Sequence, residues 1–168
     1  AVTRDVDAAL PERPLGLLQA AEIEDLDERL HRLADHLQQT GAAELPPAVE
    51  FPAVAAPAIP PLLAGRKIAI ARDAAYGFIY PANVDTLRAL GAELAFFSPL
   101  AGDAPPEGCD AVWLPGGYPE LHGEALAVNT AFRAGLRPHV AAGNPGLAAC
   151  GGLMSLFVPV VDQSLVHI

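Results

Sequence analysis

Six prolines fall in "PPAVEFPAVAAPAIPPLL", residues 46–63, and they constrain this chain more than any other stretch. Proline holds φ at about −65° and removes a backbone donor, so at this density neither a helix nor a sheet interior can form. The chain must fold on either side of a semi-extended linker. The two sides also differ in charge. Residues 1–50 hold eleven acids against four bases, and the remainder holds nine against six.

Residues 1–45 read as a first unit. In "QAAEIEDLDERLHRLADHLQQTG" the apolar positions Ile23, Leu26, Leu30, Leu33 and Leu37 share one helical stripe, with charged residues on the other faces. Gly41 suits the stop. A lone helix is marginal in water, so the stripe needs a surface to pack on. The last helix of a larger domain would meet that need.

From residue 64 the pattern changes. Strands are predicted at 66–71, 92–98, 109–117 and 145–149. Helices are predicted at 81–91, within 118–143 (one or two) and from 151 onward. Pro81 and Gly91 bracket the first of these helices. Strands that alternate with helices predict an α/β fold with a mostly parallel sheet covered on both faces. Such sheets carry their sites at the carboxyl ends of the strands. Three features fall there: the loop after Ala71, the glycine pair after Leu114, and Cys150.

Composition removes several function classes. The net charge is −10 with no Lys/Arg cluster, which excludes a typical nucleic-acid binder. Pro and Gly interrupt every apolar run before the roughly 18 residues a membrane span needs. No signal peptide is visible, and no membrane partner is expected. The two cysteines form no C-x-x-C, so neither a disulfide framework nor a zinc site is supported, and a reducing, cytoplasmic setting is expected. No phosphate-binding G-x-x-x-x-G-K-[ST] is present. The chain opens without Met and reads as part of a longer protein.

"LAACGGLM", residues 147–154, is the chemical centre of interest. A nucleophile elbow needs a strand, a tight turn at the nucleophile and a helix directly after it, with small neighbours. Ala148, Ala149, Gly151 and Gly152 provide them around Cys150. A helix amino end beside a thiol favours the reactive thiolate. The Gly151 amide, with an amide of Gly116 or Gly117 from "LPGGYPE", could meet a developing oxyanion. A buried packing cysteine is the competing reading. The two motifs together bring the catalytic reading level with it.

"IAIARDAAYGFIYPANVDTLRALGAELAFFSPL", "LPGGYPELH" and "CGGLM", in that order, resemble the glutaminase domain of the cobyrinic and hydrogenobyrinic acid a,c-diamide synthase family. "RPLGLLQAAEIEDLDERLHRLADHL" resembles the end of the ATP-binding domain that precedes it there. The resemblance implies a three-layer, class I, triad-type amidotransferase fold at 64–168, incomplete at its carboxyl end. It implies a carbon–nitrogen ligase of cobalamin biosynthesis that amidates the a and c carboxylates of a corrinoid precursor, with L-glutamine as nitrogen donor. ATP and Mg²⁺ would serve the other domain of the full-length enzyme, with no cofactor in this chain. A homodimer is a candidate assembly. By the same resemblance Cys150 is the nucleophile, and Gly117 and Gly151 are oxyanion donors. Arg72, Asp73 and Tyr80 could contact substrate, or could fix their loop by hydrogen bonds.

The sequence departs from the family in places. Ala149 stands where Glu is usual, and Gly146 and Leu147 stand where larger residues are usual. The family's catalytic His lies far downstream of its Cys. Among the substitutes, His122 follows "LPGGYPEL" and is expected near the site mouth, whereas His139, after Pro138 in a helix-to-helix segment, is expected at the surface. The tail "QSLVHI" faintly resembles the family segment around the catalytic His, but only sixteen residues separate His167 from Cys150, so a chance match is preferred. A thiol without its base loses much of its activation, so this chain by itself is expected to turn over little glutamine. It is also expected to leave a sheet edge and an apolar face uncovered, and so to self-associate. Two other classes fit the same residues: an amidotransferase or cysteine hydrolase for another tetrapyrrole, and a non-catalytic remnant.

Overall fold

The structure, a computed structural model, describes residues 5–13, 16–53, 58 and 60–156. The chain forms two compact units that divide between residues 56 and 57, inside the proline-rich stretch. His167 and the tail around it lie outside the described residues.

The first unit holds an antiparallel pair, β1 (Glu12–Arg13) and β2 (Gly16–Leu17), and helix α1 (Leu26–Gln38). The helix begins three residues after Ile23 and ends three before Gly41, so both lie outside it. Arg29 and Arg32 hold the preceding segment on α1. Arg32 pairs with Asp5 at 2.7 Å and with Asp7 at 3.1 Å, while Arg29 pairs with Asp25 at 2.8 Å and donates to the Ala9 carbonyl. Hydrogen bonding from Arg32 lowers the Asp5 carboxyl below its usual range. The apolar stripe itself remains open in this unit: Leu30, Leu33 and Leu37 are all exposed.

The second unit is the α/β domain. Its strands are β3 (Lys67–Ala71), β4 (Glu93–Phe97), β5 (Ala111–Leu114) and β6 (Gly146–Ala148). They form one all-parallel sheet in the order β4-β3-β5-β6. Helices α2 (Pro81–Ala89), α3 (Gly123–Val128), α4 (Thr130–Ala141) and α5 (Gly151–Met154) complete it. Alternate strand residues point to opposite faces. Ala69, Ala71, Val112, Leu114 and Ala148 pack with Leu126 of α3 and with Phe132 and Leu136 of α4. On the other face Ile68, Trp113 and Leu147 line an apolar hollow of about 420 Å³ with Thr86 and Leu87 of α2. The result is a three-layer α/β sandwich. Among the described residues β6 is an edge strand, and its Leu147 is 61% exposed.

Local chemistry sets the boundaries. Pro81 opens α2, where a missing N–H costs nothing. Gly91 closes it at φ 88°, with its amide bonded to the Arg88 carbonyl and that of Ala92 to the Leu87 carbonyl, a double-bonded left-handed cap. Asn129 caps α4 by accepting from the Phe132 amide, and its own amide donates to the carbonyls of Pro99 and Asp103. This buried side chain ties α4 to the segment after β4. Asn129→Ala is expected to cost about 2 kcal/mol, from a lost cap and a buried Pro99 carbonyl left without that donor. Urea unfolding checks it, and a loss under about 0.5 kcal/mol would contradict the assignment.

Pro138 does not separate two helices: it lies inside α4, near its carboxyl end. His139 is therefore carried into the interior, at 8% exposure, rather than to the surface. Its Nε2 donates to the Pro145 carbonyl at 2.9 Å, and its Nδ1 faces the Cys109 sulfur at 3.8 Å. Burial pushes the Cys109 thiol up.

Candidate active site

Cys150 lies between the carboxyl end of β6 and the start of α5. Its side chain is exposed, unlike that of Cys109. Its backbone has φ 51° and ψ −122°, and among the described residues it is the one non-glycine with positive φ. Such strain costs on the order of 1–3 kcal/mol and persists only where the surroundings over-determine it. Here they do. A β-carbon on Gly152 would lie 2.1 Å from the Leu114 carbonyl oxygen and 2.5 Å from that of Pro115. One on Gly151 would lie 2.6 Å from the Gly117 carbonyl oxygen and 2.6 Å from Pro119. The small residues after Cys150 thus let α5 sit directly on the turn that follows β5.

That turn is the "LPGGYPE" segment. A β-carbon on Gly116 would lie 3.3 Å from the Cys150 β-carbon, so the two motifs meet in space. Among the described residues, the backbone amides of Gly117 and Gly151 donate to no protein acceptor. An exposed thiol and two unclaimed amides share one corner of the fold. That arrangement can attack a carbonyl and hold the oxyanion that forms. Helix α5 is a single turn, so its contribution is local amides more than an extended macrodipole.

The loop after β3 forms the next wall. Asp73 accepts from the Ala75 amide at 2.9 Å, from the Ser98 hydroxyl at 3.0 Å and from the Leu100 amide at 2.9 Å. These bonds fix the loop. Arg72 is exposed, with its guanidinium 5.3 Å from the Phe96 ring centroid. Tyr80 is 73% exposed at the start of α2. Phe78 and Tyr118 meet edge to face at 5.2 Å, and the Phe78 amide donates to the Gly116 carbonyl at 2.9 Å. The sequence reading missed Phe78, Tyr118 and Tyr76. The glycine pair signalled a close approach without saying what approached.

No described histidine is joined to Cys150. His122 ends the short 3-10 turn Pro119–His122 and makes no hydrogen bond or ion pair among the described residues. His139 is held at Pro145 and Cys109, just before β6 and β5 begin, so at the opposite end of the sheet. No cluster of three or more potential metal ligands occurs among the described residues, and none of their helices is long and apolar enough to cross a membrane.

Comparison with known proteins adds the following. Residues 67–166 match the model of the CobB/CobQ-like glutamine amidotransferase domain. The chain is 52% identical over 163 residues to the hydrogenobyrinate a,c-diamide synthase of Stutzerimonas stutzeri, covering 97% of this chain and 38% of that protein. It is 49% identical to the protein of the same name from Pseudomonas aeruginosa, covering 91% and 35%. It is 45% identical to the cobyrinate a,c-diamide synthase of Herminiimonas arsenicoxydans, covering 92% and 36%. The chain thus spans under two fifths of the length of these relatives. No solved structure matches it.

Proposed function

The chain belongs to the CobB/CobQ-like glutamine amidotransferase family, and from that premise we propose that it is the glutamine-hydrolysing part of a ligase that amidates corrinoid carboxylates in cobalamin biosynthesis. The observation that carries this reading is the exposed, strained Cys150 set against the unclaimed amides of Gly117 and Gly151. The Cys150 thiolate adds to the side-chain amide carbonyl of L-glutamine. The two amides hold the resulting oxyanion. The C–N bond then breaks, and the leaving nitrogen takes the proton the thiol gave up and departs as ammonia. Water hydrolyses the glutamyl thioester to glutamate and regenerates the thiol. None of the described histidines forms a hydrogen bond with Cys150.

The relatives' names supply the acceptor: a hydrogenobyrinate or cobyrinate ring. Arg72 and Tyr80, exposed on the same rim as Cys150, would meet the acceptor or the domain that holds it. Among the described residues no group of three or more potential metal ligands forms, and the sequence contains no G-x-x-x-x-G-K-[ST] motif. Activation of the ring carboxylate by ATP is assigned to another domain of the full-length enzyme, of which the first unit is the end. The steps above use neither group.

The test is alkylation by a glutamine-derived diazoketone, read by intact mass and peptide mapping. Cys150 is expected to react at least about tenfold faster than the buried Cys109, and L-glutamine is expected to protect it. Equal labelling of both cysteines, or no protection by glutamine, would refute the reading.

A further inference from the structure

Residues 73–78 contact the Gly116–Gly117 turn from two sides. On one side the Ala75 carbonyl oxygen lies 2.1 Å from where a β-carbon on Gly117 would be, and the Gly77 amide nitrogen lies 3.0 Å from it. On the other the Phe78 amide holds the Gly116 carbonyl at 2.9 Å, as an isolated antiparallel bridge. The orientation of the Gly116–Gly117 peptide decides where the Gly117 N–H points. The bond to the Gly116 carbonyl and the packing at the Gly117 α-carbon both come from this one strap.

The strap is in turn held by Asp73 and Tyr76. The Asp73 carboxylate shapes the turn through the Ala75 amide and anchors it to Ser98 and Leu100, beyond β4. The Asp73 carbonyl accepts from the Tyr76 amide at 3.1 Å. Tyr76 is fully buried against Phe132, with Ser155 beside its hydroxyl at the end of α5. A carboxylate that accepts bonds from two loops is a stronger clamp than a neutral side chain.

The geometry points to Asp73 as a positioning residue for glutamine hydrolysis: through the strap it fixes the Gly116–Gly117 peptide and so aims the Gly117 amide at the oxyanion. The inference rests on the reading of Cys150 as the glutaminase nucleophile. Asp73 touches neither the thiol nor the reacting carbonyl. Its removal must act through the orientation of one amide.

Two reagents separate this role from a general loss of structure. Iodoacetamide alkylates a thiol at a methylene carbon and needs no oxyanion donor. The glutamine-derived diazoketone places its carbonyl where the oxyanion forms. Asp73→Ala is expected to lower the diazoketone rate at Cys150 about tenfold while the iodoacetamide rate stays within about twofold, since loss of one oxyanion donor outright costs about 10²–10³. Asp73→Asn keeps an acceptor for the Ala75 amide but loses the one for the Leu100 amide, and should recover only part of the loss. Hydrogen exchange at the Phe78 amide should rise in Asp73→Ala, with Ile68–Ala71 unchanged. Should Asp73→Ala fail to fold, Ser98→Ala and Asp73→Asn carry the same test with smaller shifts. An unchanged ratio of the two rates, or an equal fall in both, would overturn the inference. A wild-type chain that reacts with iodoacetamide but not with the diazoketone would instead overturn the glutaminase reading, and the inference with it.

Discussion

Gly152→Ala is expected to destabilise the α/β unit by about 3 kcal/mol or more, a large share of the 5–15 kcal/mol that holds a typical domain together. The added methyl would meet two backbone carbonyl oxygens, at 2.1 Å from Leu114 and 2.5 Å from Pro115. Overpacking commonly costs 1–3 kcal/mol where side chains can yield. Here the obstacle is the backbone at the end of β5, which can move only by shifting the strand or lifting α5 away. Either shift would also separate Cys150 from Gly117. Gly102→Ala is the control. Gly102 has φ 90° but open space around it, so a methyl there meets only the left-handed backbone penalty of about 1–2 kcal/mol. Urea midpoints should rank wild type above Gly102→Ala and that above Gly152→Ala. If Gly152→Ala matched the control, close packing at the elbow would not be what confines this position.

Much of the α/β unit was legible because local chemistry and global packing agree there. The apolar runs 66–71, 92–98 and 145–149 sit between Gly and Pro signals, and β3, β4 and β6 fall inside them. The elbow was legible because close backbone approach admits only small residues, and Ala-Ala-Cys-Gly-Gly displays that demand in the chain itself. Other features depend on what arrives from elsewhere. Pro138 reads locally as a break, yet α4 has its carboxyl-terminal turn there, and the Ala142 amide still bonds to the Pro138 carbonyl. That turn swings His139 inward to Cys109 and Pro145, two residues with no sequence link to it. Loop-fixing hydrogen bonds at Asp73 were one of the two roles the sequence offered, but the partners of the strap at 73–78 were illegible for the same reason. Asp73 is a short polar residue after a strand, and nothing local tells that Ser98 and Leu100 will come to it. The order β4-β3-β5-β6 likewise follows from crossovers that periodicity does not encode.

Replacing Cys150 by glycine should abolish alkylation by the diazoketone and at the same time stabilise the fold by about 1 kcal/mol. The backbone at Cys150, φ 51° and ψ −122°, is one that glycine adopts readily and a side chain resists. Relief of strain contributes about 1–3 kcal/mol, and the extra freedom of glycine in the unfolded chain offsets about 0.5–1 of that. Cys150→Ala separates the two effects. Alanine removes the sulfur but keeps the β-carbon, so labelling should vanish while stability stays within about 0.5 kcal/mol of wild type. Urea unfolding with equal slopes should place the Gly variant above both the Ala variant and the parent. A Gly variant no more stable than the Ala variant would remove strain from the account of this turn. The strain has a chemical counterpart. The sharp backbone turn brings the Cys150 β-carbon close to where one on Gly116 would sit, with the thiol exposed beside the Gly117 turn. A relaxed turn of ordinary φ would redirect the thiol away from it. Stability is thus traded at one residue for placement of the nucleophile, and the glycine substitution measures the size of that trade.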